Sequence, residues 1–312
     1  MYNLVTVAKN KIEREIYEEI TKESQIFQML PVETTINVQG QMNVVTDVSA
    51  PDLKIRNKGV KATTVYEEAR SWVMDKVEDI IKIEQDLLSS ITTVEGRLAY
   101  IERQIKIKSM SLADRVLRRL YGTPSFNGDI AGHVIKNSFL GLPHVMISNG
   151  DSLEKSSAYF LKMGENGLKM MVPQEGFLKI PSIQEINAAY SAMNNVWDTN
   201  EAGEEKKMFK ISLSASYALA NSNVNALLRL KDIGKTVVSN DTVTSGFVRD
   251  SYEACMVPFM NSGGGSNNRA VLVNERTRQQ MSRIENLGQT LSVRDIGGMP
   301  IIIDGYIPLN EA

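Results

Sequence analysis

The sequence predicts an α+β protein, because three segments of different character follow one another along the chain. An extended, β-prone stretch covers residues 31 to about 77, a long helical pattern covers 94–120, and the strand-like pattern GGMPIIIDGYIPLNEA closes the sequence. Alternating apolar and polar residues are typical of strands, and apolar residues three and four positions apart are typical of helices. The sequence therefore predicts both kinds of element in one chain.

Composition places the chain among ordinary globular proteins. Its 312 residues are 42% hydrophobic and 23% charged, with a formal net charge of -2, so it can bury a substantial core. No flexible linker is evident, and we expect two interleaved subdomains. The single cysteine, Cys255, lies in an apolar context. It excludes a disulfide framework and predicts a buried thiol in a protein that assembles in a reducing compartment.

No membrane or secretion signal is evident. No apolar run approaches the roughly 20 residues of a membrane span. The N-terminal sequence MYNLVTVAKNKIEREIYEEI lacks the apolar centre of a signal peptide. We therefore expect no membrane partner, and a chain that stays in the cytoplasm where it is made.

The first helix is predicted over residues 7–30. Its apolar residues at helical spacing are Ile12, Ile16, Ile20, Phe27 and Leu30. Charged residues cover the other faces, and Pro31 ends the pattern. Two interpretations remain open: a charged arm that lies on a neighbouring subunit, or a helix packed on its own domain.

A β-hairpin is predicted after this helix. The residues that alternate with polar ones, as in a strand, are Val32, Thr34, Ile36 and Val38. A second strand-like run lies near residues 62–77, and the polar sequence between the runs contains Gly40, Pro51 and Gly59. A hairpin made from this sequence can bury little surface of its own. It needs a partner surface.

The long helix is the best-specified element. Thr92 and Glu95 have the spacing of a capping box, and Gly122 with Pro124 ends the pattern. The apolar stripe consists of Val94, Leu98, Ile101, Ile105, Leu112, Val116 and Leu120. The other faces are rich in basic residues, namely Arg97, Arg103, Lys106, Lys108, Arg115, Arg118 and Arg119.

This basic face allows a nucleic-acid-binding interpretation. However, Glu95, Glu102 and Asp114 interrupt it, and no aromatic residues are interleaved for stacking on bases. The whole chain is also slightly acidic. We therefore favour a solvated or inter-subunit face for the helix.

The middle of the chain is predicted to be rich in strands. Short apolar runs at 144–148, 156–163 and 168–172 are separated by the turn sequences Asn149-Gly150 and 164–167, which predicts an antiparallel meander. A polar loop is expected over 194–207. The sequence 208–234 then fits two strands, or a strand and a short helix.

The last third of the chain alternates between helix and strand. A helical pattern over 248–259 is followed by the flexible connection NSGGGSNN and by a strand over 270–274. Asn274 can cap the next helix, and Gly288 can end it. The final strand begins at Met299.

The sequence contains no recognisable catalytic pattern. The two histidines, His133 and His144, do not form a close ligand pair, and Cys255 is isolated, so a metal site is not expected. Gly234-Lys235-Thr236 has the end of a phosphate-binding loop, but Arg229 stands where the required earlier glycine would be. Adjacent glutamates point in different directions. We therefore expect no catalytic, cofactor-binding or metal-ligating residues.

Several segments, taken in order, resemble the major capsid proteins of tailed bacteriophages with the Hong Kong 97 fold, most closely the epsilon-fifteen type. The resemblance covers most of the chain. It is carried by Leu120-Tyr121-Gly122 with Phe126-Asn127-Gly128, by 161–166 with Met171-Val172-Pro173, by the strand-to-helix junction 273–277, and by 298–305 with Leu309-Asn310-Glu311-Ala312. The sequence departs from the family at Asp129-Ile130 and lacks the family's paired arginines in the closing motif.

The resemblance implies a structural protein rather than an enzyme. It implies a Hong Kong 97-like fold with an N-terminal helical arm (1–31), an extended β-hairpin loop (32–80), a peripheral domain with the spine helix 94–120 (81–240) and an axial domain (241–312). Copies of such a coat protein self-assemble as hexamers and pentamers into an icosahedral shell around packaged double-stranded DNA, which they contact non-specifically. A scaffolding protein, a portal and a decoration protein are the further partners implied. The chain then belongs to a virion that is assembled in the host bacterial cytoplasm.

Contacts between subunits are expected at charged and hairpin residues. A shell places one sequence in several environments. The subunit therefore needs a rigid core and arms that change their orientation from one neighbour to another. The expected contact residues are Glu13, Arg14, Gly40, Lys54, Arg56, Lys58, Arg115 and Arg119.

Two alternatives to a phage coat protein remain open: an encapsulin-like compartment that holds a cargo enzyme and, more remotely, an unrecognised cytoplasmic enzyme.

Overall fold

The computed structural model of the chain describes fourteen stretches of residues. They are 4–9, 11–48, 65–123, 126–127, 146–148, 156–192, 197–199, 203–234, 237–239, 242–244, 249–261, 269–285, 295–296 and 299–309.

The helices occur at both ends of the chain and around the long central helix. They are α1 (Lys11–Glu23), α2 (Gln25–Met29), α3 (Gln85–Ser90), α4 (Val94–Tyr121), α5 (Ile183–Ala192), α6 (Arg249–Asn261) and α7 (Glu275–Glu285). Short 3-10 helices lie at Leu4–Val7 and Val224–Ala226. The long helix α4 confirms the predicted helix over 94–120.

The first sheet is built around one very long strand. Its strands are β1 (Val32–Thr35), β4 (Asp75–Glu84), β9 (Leu168–Pro173), β10 (Leu178–Lys179), β11 (Trp197–Thr199) and β12 (Glu205–Asn221). β12 pairs with β4, β9, β10 and β11, and β1 pairs in parallel with β9. Because β4 continues without a break from 75 to 84, the expected boundary at residue 80 falls inside a strand.

The second sheet contains strands from the middle and the end of the chain. They are β7 (Met146–Ser148), β8 (Ser156–Lys162), β13 (Leu227–Ile233), β16 (Arg269–Val273), β17 (Asp295–Ile296) and β18 (Met299–Ile303). The strand order is β17-β18-β16-β8-β13-β7. The sequence 208–234 therefore forms two strands, which was one of the two alternatives.

Three two-stranded ribbons complete the described structure. They are the hairpin β2 (Gln39–Val48) with β3 (Val65–Val73), β5 (Gly122–Thr123) with β6 (Phe126–Asn127), and β14 (Val237–Ser239) with β15 (Thr242–Thr244). The pairing of β2 with β3 confirms the predicted hairpin.

Two hydrophobic cores lie on opposite faces of the second sheet. Tyr159 and Leu161 of β8 belong to the larger core, together with buried residues of α1, α4 and the first sheet. Ala158 and Phe160 point to the other face of the same strand and pack with residues of α6 and α7. Every residue of β8 is buried. The strand is therefore the shared central layer of the molecule.

The predicted antiparallel meander is wrong. β8 and β9 follow each other in sequence but belong to different sheets, and β7 pairs in parallel with β13. Gly164, with a φ of 128°, begins the turn between β8 and β9. Because both strands are apolar, the sequence predicted strands correctly but could not identify their partners.

The first helical segment is divided by a buried polar residue. α1 ends at Glu23 and α2 begins at Gln25, so the predicted continuous helix over 7–30 is interrupted at Ser24. Ser24 is 1% exposed. Its hydroxyl donates a hydrogen bond to Asp304 Oδ2 over 2.7 Å. A tertiary contact therefore sets the break.

The cap of the long helix is one residue away from its predicted position. Thr93 Oγ1 accepts a hydrogen bond from the backbone N–H of Gly96 over 3.1 Å, so Thr93, not Thr92, is the N-cap. A Cβ on Gly96 would lie 2.8 Å from Thr93 Oγ1, which explains a glycine in the first turn. The predicted stop is correct, because α4 ends at Tyr121. Val94, expected in the apolar stripe, is exposed.

The C-terminal elements follow the prediction closely. Asn274 Oδ1 accepts from the backbone N–H of Thr277 over 2.9 Å and caps α7. The helix α6 covers the predicted helical pattern, and β16 and β18 are the predicted strands. The polar loop expected over 194–207 is wrong in part, because β11 lies within it. The strands β10, β14 and β15 were not predicted. Gly288 and the sequence NSGGGSNN after Asn261 lie outside the described residues.

Candidate assembly surfaces

The hairpin formed by β2 and β3 exposes most of its described side chains. Its ladder runs from the pair Gln39–Val73 to the pair Val48–Val65, with a register shift between Val45 and Asp47. Beyond the pair Gly40–Trp72 every described side chain of the hairpin is exposed. A two-stranded ribbon of this kind gains little stability from its own contacts. The structure therefore fits the expectation that the hairpin needs a partner surface.

The base of the hairpin is anchored on the first sheet. Trp72 is 6% exposed and clusters with Met171, Ala218 and Ala220. A Cβ on Gly40, the cross-strand partner of Trp72, would lie 2.7 Å from the indole ring. The expected contact residue Gly40 therefore has a role within its own chain, since only glycine leaves room for the ring.

Apolar side chains are exposed at the neck that joins β1 to the hairpin. Ile36 is 80% exposed and Val38 is 67% exposed, although the sequence predicts both on the same strand face as buried Val32. The backbone N–H of Met74 donates to the carbonyl of Val38 over 2.8 Å, so Val38 is an ordered part of the neck. Two exposed aliphatic side chains this close together are candidate contact residues.

A second candidate surface lies along the edge of β4. A concavity of about 520 Å³ is lined by consecutive residues 80–84, by Leu87, and by Tyr100 and Lys108 of α4. Ile80 and Leu87 are exposed. Among the described strands only β12 pairs with β4, so the other edge of β4 is open there. Open strand edges are sites where further chains can pair.

The N-terminal helices pack on their own domain. Ile16, Tyr17 and Phe27 are completely buried in the larger core. The phenol oxygen of Tyr17 accepts a hydrogen bond from the backbone N–H of Leu178 over 2.9 Å, and burial raises the pKa of this phenol well above its ordinary value. Of the two interpretations of the first helix, the structure supports packing on its own domain.

The expected contacts in the first helix differ in accessibility. Glu13 is 3% exposed and its Oε2 accepts a hydrogen bond from the backbone N–H of Lys9 over 2.8 Å, so it faces the interior. A neighbouring subunit cannot reach it in this structure. Arg14 is exposed and its Nε lies 3.1 Å from Glu18 Oε1 one turn away.

Asp304 joins three distant segments. It is 1% exposed and accepts hydrogen bonds from Ser24 Oγ, from the Tyr121 phenol and from the backbone N–H of Tyr306, over 2.7, 2.9 and 3.0 Å. Burial, and then the neighbouring Asp304 carboxyl, raise the pKa of Tyr121 well above its ordinary value. The joint ties the N-terminal helices and the end of α4 to the C-terminal segment.

Three of the seven basic residues on α4 form ion pairs within the described chain. Lys106 Nζ lies 3.2 Å from Glu19, Lys108 Nζ lies 3.8 Å from Asp79, and Arg118 Nε lies 2.8 Å from Asp114. The Arg118 guanidinium holds the pKa of the Asp114 carboxyl below its ordinary value. These pairs reduce the charge that the helix could offer to phosphate groups. They weaken the nucleic-acid-binding interpretation.

Two arginines remain available on this helix. Arg103 and Arg115 are exposed, and no residue of the described ranges forms an ion pair with either. The side chain of Arg119, another expected contact, is not described. Lys54, Arg56 and Lys58, the expected contacts in the hairpin, lie outside the described residues.

An ion cluster holds three strands of the first sheet together. Asp198 of β11 lies 2.7 Å from Lys82 Nζ of β4 and 2.9 Å from Lys210 Nζ of β12. These two ammonium groups hold the pKa of the Asp198 carboxyl well below its ordinary value. The cluster therefore stabilises β4, the strand that leads from the hairpin toward α4.

The groups considered for enzymatic chemistry have structural surroundings. Cys255 is completely buried, and burial raises the pKa of its thiol to about 12, which keeps it protonated at neutral pH. The carbonyl of Gly234 accepts a hydrogen bond from Gln280 Nε2 over 2.8 Å. His133 and His144 lie outside the described residues.

The described part of the chain shows neither a cluster of metal-ligating residues nor a membrane-spanning helix. Within these ranges, no group of three or more histidine, cysteine, aspartate or glutamate residues could hold a metal ion. No described helix has the length and hydropathy needed to cross a membrane.

Sequence reasoning missed the residues that organise these surfaces. Trp72, Ser24 and Asp304 are central to the anchor of the hairpin and to the joint of the three segments. Trp72 is one of the two tryptophans of the chain. A large apolar indole in an otherwise polar hairpin favours burial, so its position was a usable signal. Ser24 and Asp304 gave no such signal.

Comparisons with known proteins identify the fold. No protein-family model matches the sequence, and no curated protein matches it. A chain from the structure of bacteriophage Epsilon15 matches with a TM-score of 0.50 and 12% sequence identity, over 91% of this chain and 88% of that chain. A chain of the bacteriophage JBD30 capsid matches with a TM-score of 0.50 and 10% identity, over 93% of this chain and 92% of that chain.

A third match is the JBD30 capsid decorated with minor capsid protein trimers, with a TM-score of 0.51 and 8% identity, over 93% of each chain. These matches extend over nearly the whole chain. They confirm the α+β, Hong Kong 97-like fold that the sequence resemblance implied.

Proposed function

We propose that the chain is the major capsid protein of a tailed bacteriophage. Copies self-assemble into the icosahedral head shell that encloses the packaged double-stranded DNA genome. The observation that carries this proposal is the correspondence of nearly the whole chain, 91% and 93%, with chains of bacteriophage Epsilon15 and of the JBD30 capsid. A fold can host several functions, so the surfaces of the subunit must also fit assembly.

The surfaces of the subunit support assembly. The N-terminal helices pack on their own body, and Ser24 and Tyr121 both donate hydrogen bonds to Asp304, which joins three segments of the body. The hairpin, in contrast, exposes its described side chains, and Ile36 and Val38 expose aliphatic surface at its neck. A body joined in this way, with an exposed hairpin, suits contacts between identical subunits in slightly different environments.

We infer ring-shaped assemblies from the same surfaces. The hairpin and the open edge of β4 are different surfaces of one subunit, and head-to-tail contacts between different surfaces form rings when the rotation between neighbours closes. Hexamers and pentamers are the rings that an icosahedral shell requires. In this arrangement residues 81–240 form a peripheral domain on the spine helix α4, and residues 241–312 form an axial domain. The two are interleaved, because β16 of the second range pairs with β8 of the first.

The proposed contact residues are those whose side chains can reach a neighbour. On the surface of the body they are Arg14 and Arg115, which are exposed. Arg119, Lys54, Arg56 and Lys58 are proposed on the basis of the sequence. Many weak contacts of this kind add through multivalency, so a closed shell is stable although single contacts are reversible.

The proposed partners follow from the proposed function. A scaffolding protein, a portal and a decoration protein would act with the chain, and packaged DNA would be contacted without sequence specificity. The assembled chain would be a virion component built in the host cytoplasm. An occupant other than DNA, such as a cargo enzyme, is an outcome that the experiment below can detect.

The proposal is tested by expressing the chain alone and analysing the soluble fraction by size exclusion and negative-stain electron microscopy. Closed polyhedral particles, or hexamers and pentamers, are expected. If only a monomer forms, the candidate scaffolding protein is added. A subunit that remains monomeric with its scaffold contradicts the proposal, and copurification of a cargo protein would favour a compartment over a phage head.

A deletion within the hairpin tests its role in assembly separately from the folding of the body. Removing residues 41–57 deletes most of β2 with the tip and leaves Gly40 and Trp72 in place. We expect a soluble, folded subunit that cannot close shells. Normal particles from this variant would contradict the assigned role of the hairpin.

A further inference from the structure

The end of the C-terminal segment is held on the body by its backbone carbonyls. The carbonyl of Pro308 accepts hydrogen bonds from Ser156 Oγ over 2.8 Å and from Asn274 Nδ2 over 3.2 Å. The carbonyl of Leu309 accepts a hydrogen bond from Arg276 Nη2 over 2.6 Å. The Leu309 side chain is 57% exposed, so polar contacts of the backbone, rather than apolar burial of this side chain, fix the end of the segment.

Arg276 also holds a second part of the chain. The same Nη2 donates to the carbonyl of Ile233, the last residue of β13, over 3.3 Å. Gln280, which follows Arg276 by one turn of α7, donates from Nε2 to the carbonyl of Gly234 over 2.8 Å. Ser156 is the cross-strand partner of Ile233. The end of β13 and the end of the C-terminal segment are therefore held by the same side chains.

The backbone just before these contacts has an unfavourable conformation. Among the described residues, Asp232 is the only one other than glycine with a positive φ, which is 61°. It lies where the register of β13 against β8 shifts, between Leu230 and Ile233. Such a conformation persists only where the surrounding contacts hold it. On the C-terminal side of Asp232, the hydrogen bonds to the carbonyls of Ile233 and Gly234 are such contacts.

The β14–β15 ribbon follows directly. Val237, its first residue, is the third residue after Gly234. Within the described chain the two strands of this ribbon pair only with each other, so neither sheet fixes the ribbon through strand pairing. On the side of β13, the direction of the ribbon therefore depends on the backbone of residues 232–234.

We propose that Arg276 is a latch that couples the C-terminal segment to the β14–β15 ribbon. With the Leu309 carbonyl in place, the guanidinium is fixed against Ile233, the bulge at Asp232 keeps its conformation and the ribbon keeps one direction. Without the Leu309 contact the guanidinium is less fixed, its hold on Ile233 weakens and the bulge relaxes. The latch is a property of the single subunit. Its use in assembly, to present the ribbon to a neighbouring copy in one direction, rests on the proposed function.

Two arginines of α7 give a matched test by hydrogen exchange in the free subunit. Arg276→Ala removes the donor to both carbonyls, whereas Arg278→Ala removes a side chain whose Nε lies 3.4 Å from Glu275 of the same helix. Arg276→Ala should speed exchange of the ribbon amides by about tenfold or more, since hydrogen bonds from a charged donor are lost. Arg278→Ala should change it by no more than about twofold, because a partly exposed ion pair within one helix contributes little. Equal exchange in the two variants would overturn the latch.

The coupling is tested from the other end of the latch. A chain that stops after Pro308 lacks the Leu309 carbonyl, whereas a chain that stops after Leu309 keeps an acceptor there. Only the shorter chain should speed exchange of the ribbon amides, and exchange of the α4 amides serves as the folding reference. In the Arg276→Ala background the two truncations should behave alike, because the residue that couples the two ends is already absent. Ribbon exchange that responds to Arg276→Ala but not to the loss of Leu309 would show that the coupling is wrong.

Particle yield tests the use of the latch in assembly. Where the parent chain forms particles, Arg276→Ala should lower the yield and Arg278→Ala should not. Equal yields would contradict a role of the latch in assembly. A parent chain that forms no particles counts against the proposed function alone, because hydrogen exchange measures the latch in the free subunit.

Discussion

The phenol of Tyr121, the last residue of the long helix, donates a hydrogen bond to Asp304 Oδ2 over 2.9 Å, across 183 positions of sequence. Ser24 Oγ donates to the same oxygen over 2.7 Å. One buried carboxyl group therefore fixes the N-terminal helices and the end of α4 to the C-terminal segment. These contacts hold together the part of the subunit from which the hairpin extends.

Replacing Asp304 with asparagine should destabilise the subunit by about 1–3 kcal/mol. The amide keeps one acceptor oxygen, but the site presents donors to both carboxyl oxygens, so one donor faces an NH₂ group. Urea unfolding of the soluble subunit measures the loss. Ser24→Ala removes one of the donors and should cost less. An Asp304→Asn variant as stable as the parent would contradict the role of the joint.

Stability should fall steeply at alkaline pH. Burial raises the pKa values of Tyr17 and Tyr121 in the folded state, so their contribution is complete below the unfolded pKa of about 10 and is lost as pH rises toward the folded values. Each phenol adds a slope of up to about 1.4 kcal/mol per pH unit above pH 10. Unfolding measured from pH 8 to 11 tests this, and Tyr17→Phe should reduce the slope.

The N-cap of α4 is tested by two neighbouring threonines. Thr93→Ala removes the hydroxyl that accepts from the Gly96 N–H and should cost about 1 kcal/mol. Thr92→Ala, one residue earlier, is the matched control and should be nearly neutral, although Thr92 has the capping-box spacing in the sequence. Thermal unfolding of the two variants decides between the cap observed and the cap predicted. If Thr92→Ala destabilises the protein more than Thr93→Ala does, Thr92 is the N-cap, as the sequence predicted.

Elements whose signals are local could be predicted from the sequence. The cap and first turn of α7 lie within four residues, so Asn274 was identified correctly. The end of α4 follows from Gly122 and Pro124 for the same reason. The position of the α4 cap was missed by one residue because two adjacent threonines satisfy the same pattern, and only the Gly96 N–H distinguishes them.

Features that depend on distant residues could not be predicted. The partners of Asp304 lie 280 and 183 positions away, and nothing near Ser24 in the sequence indicates a buried carboxyl group opposite it. Strand pairing failed for β8 and β9 because two apolar strands in succession fit one sheet or two equally well. The family resemblance supplied the overall fold, but it did not identify Trp72.

The neck of the hairpin shows why an alternating pattern does not guarantee burial. Val32 is buried, yet Ile36 and Val38, in the same alternation, are exposed because β1 ends at Thr35. Within the described chain nothing covers them. Their apolar character is explained if the surface that covers them belongs to another copy.

A comparison of Phe27 with Ile36 separates folding from assembly. Phe27 is completely buried in the larger core, so Phe27→Ala should destabilise the subunit by about 3–5 kcal/mol and lower its soluble yield. Ile36 is 80% exposed, so Ile36→Ser should change the stability of the free subunit by no more than about 0.5 kcal/mol.

If a neighbouring copy covers the neck, the same Ile36→Ser variant loses buried apolar area at every contact in the shell. Sedimentation should then show fewer particles from a subunit whose unfolding curve matches the parent, and Val38→Ser should behave alike. Unchanged particle yield in both variants would remove the neck from the assembly surface and leave the outer hairpin as the contact.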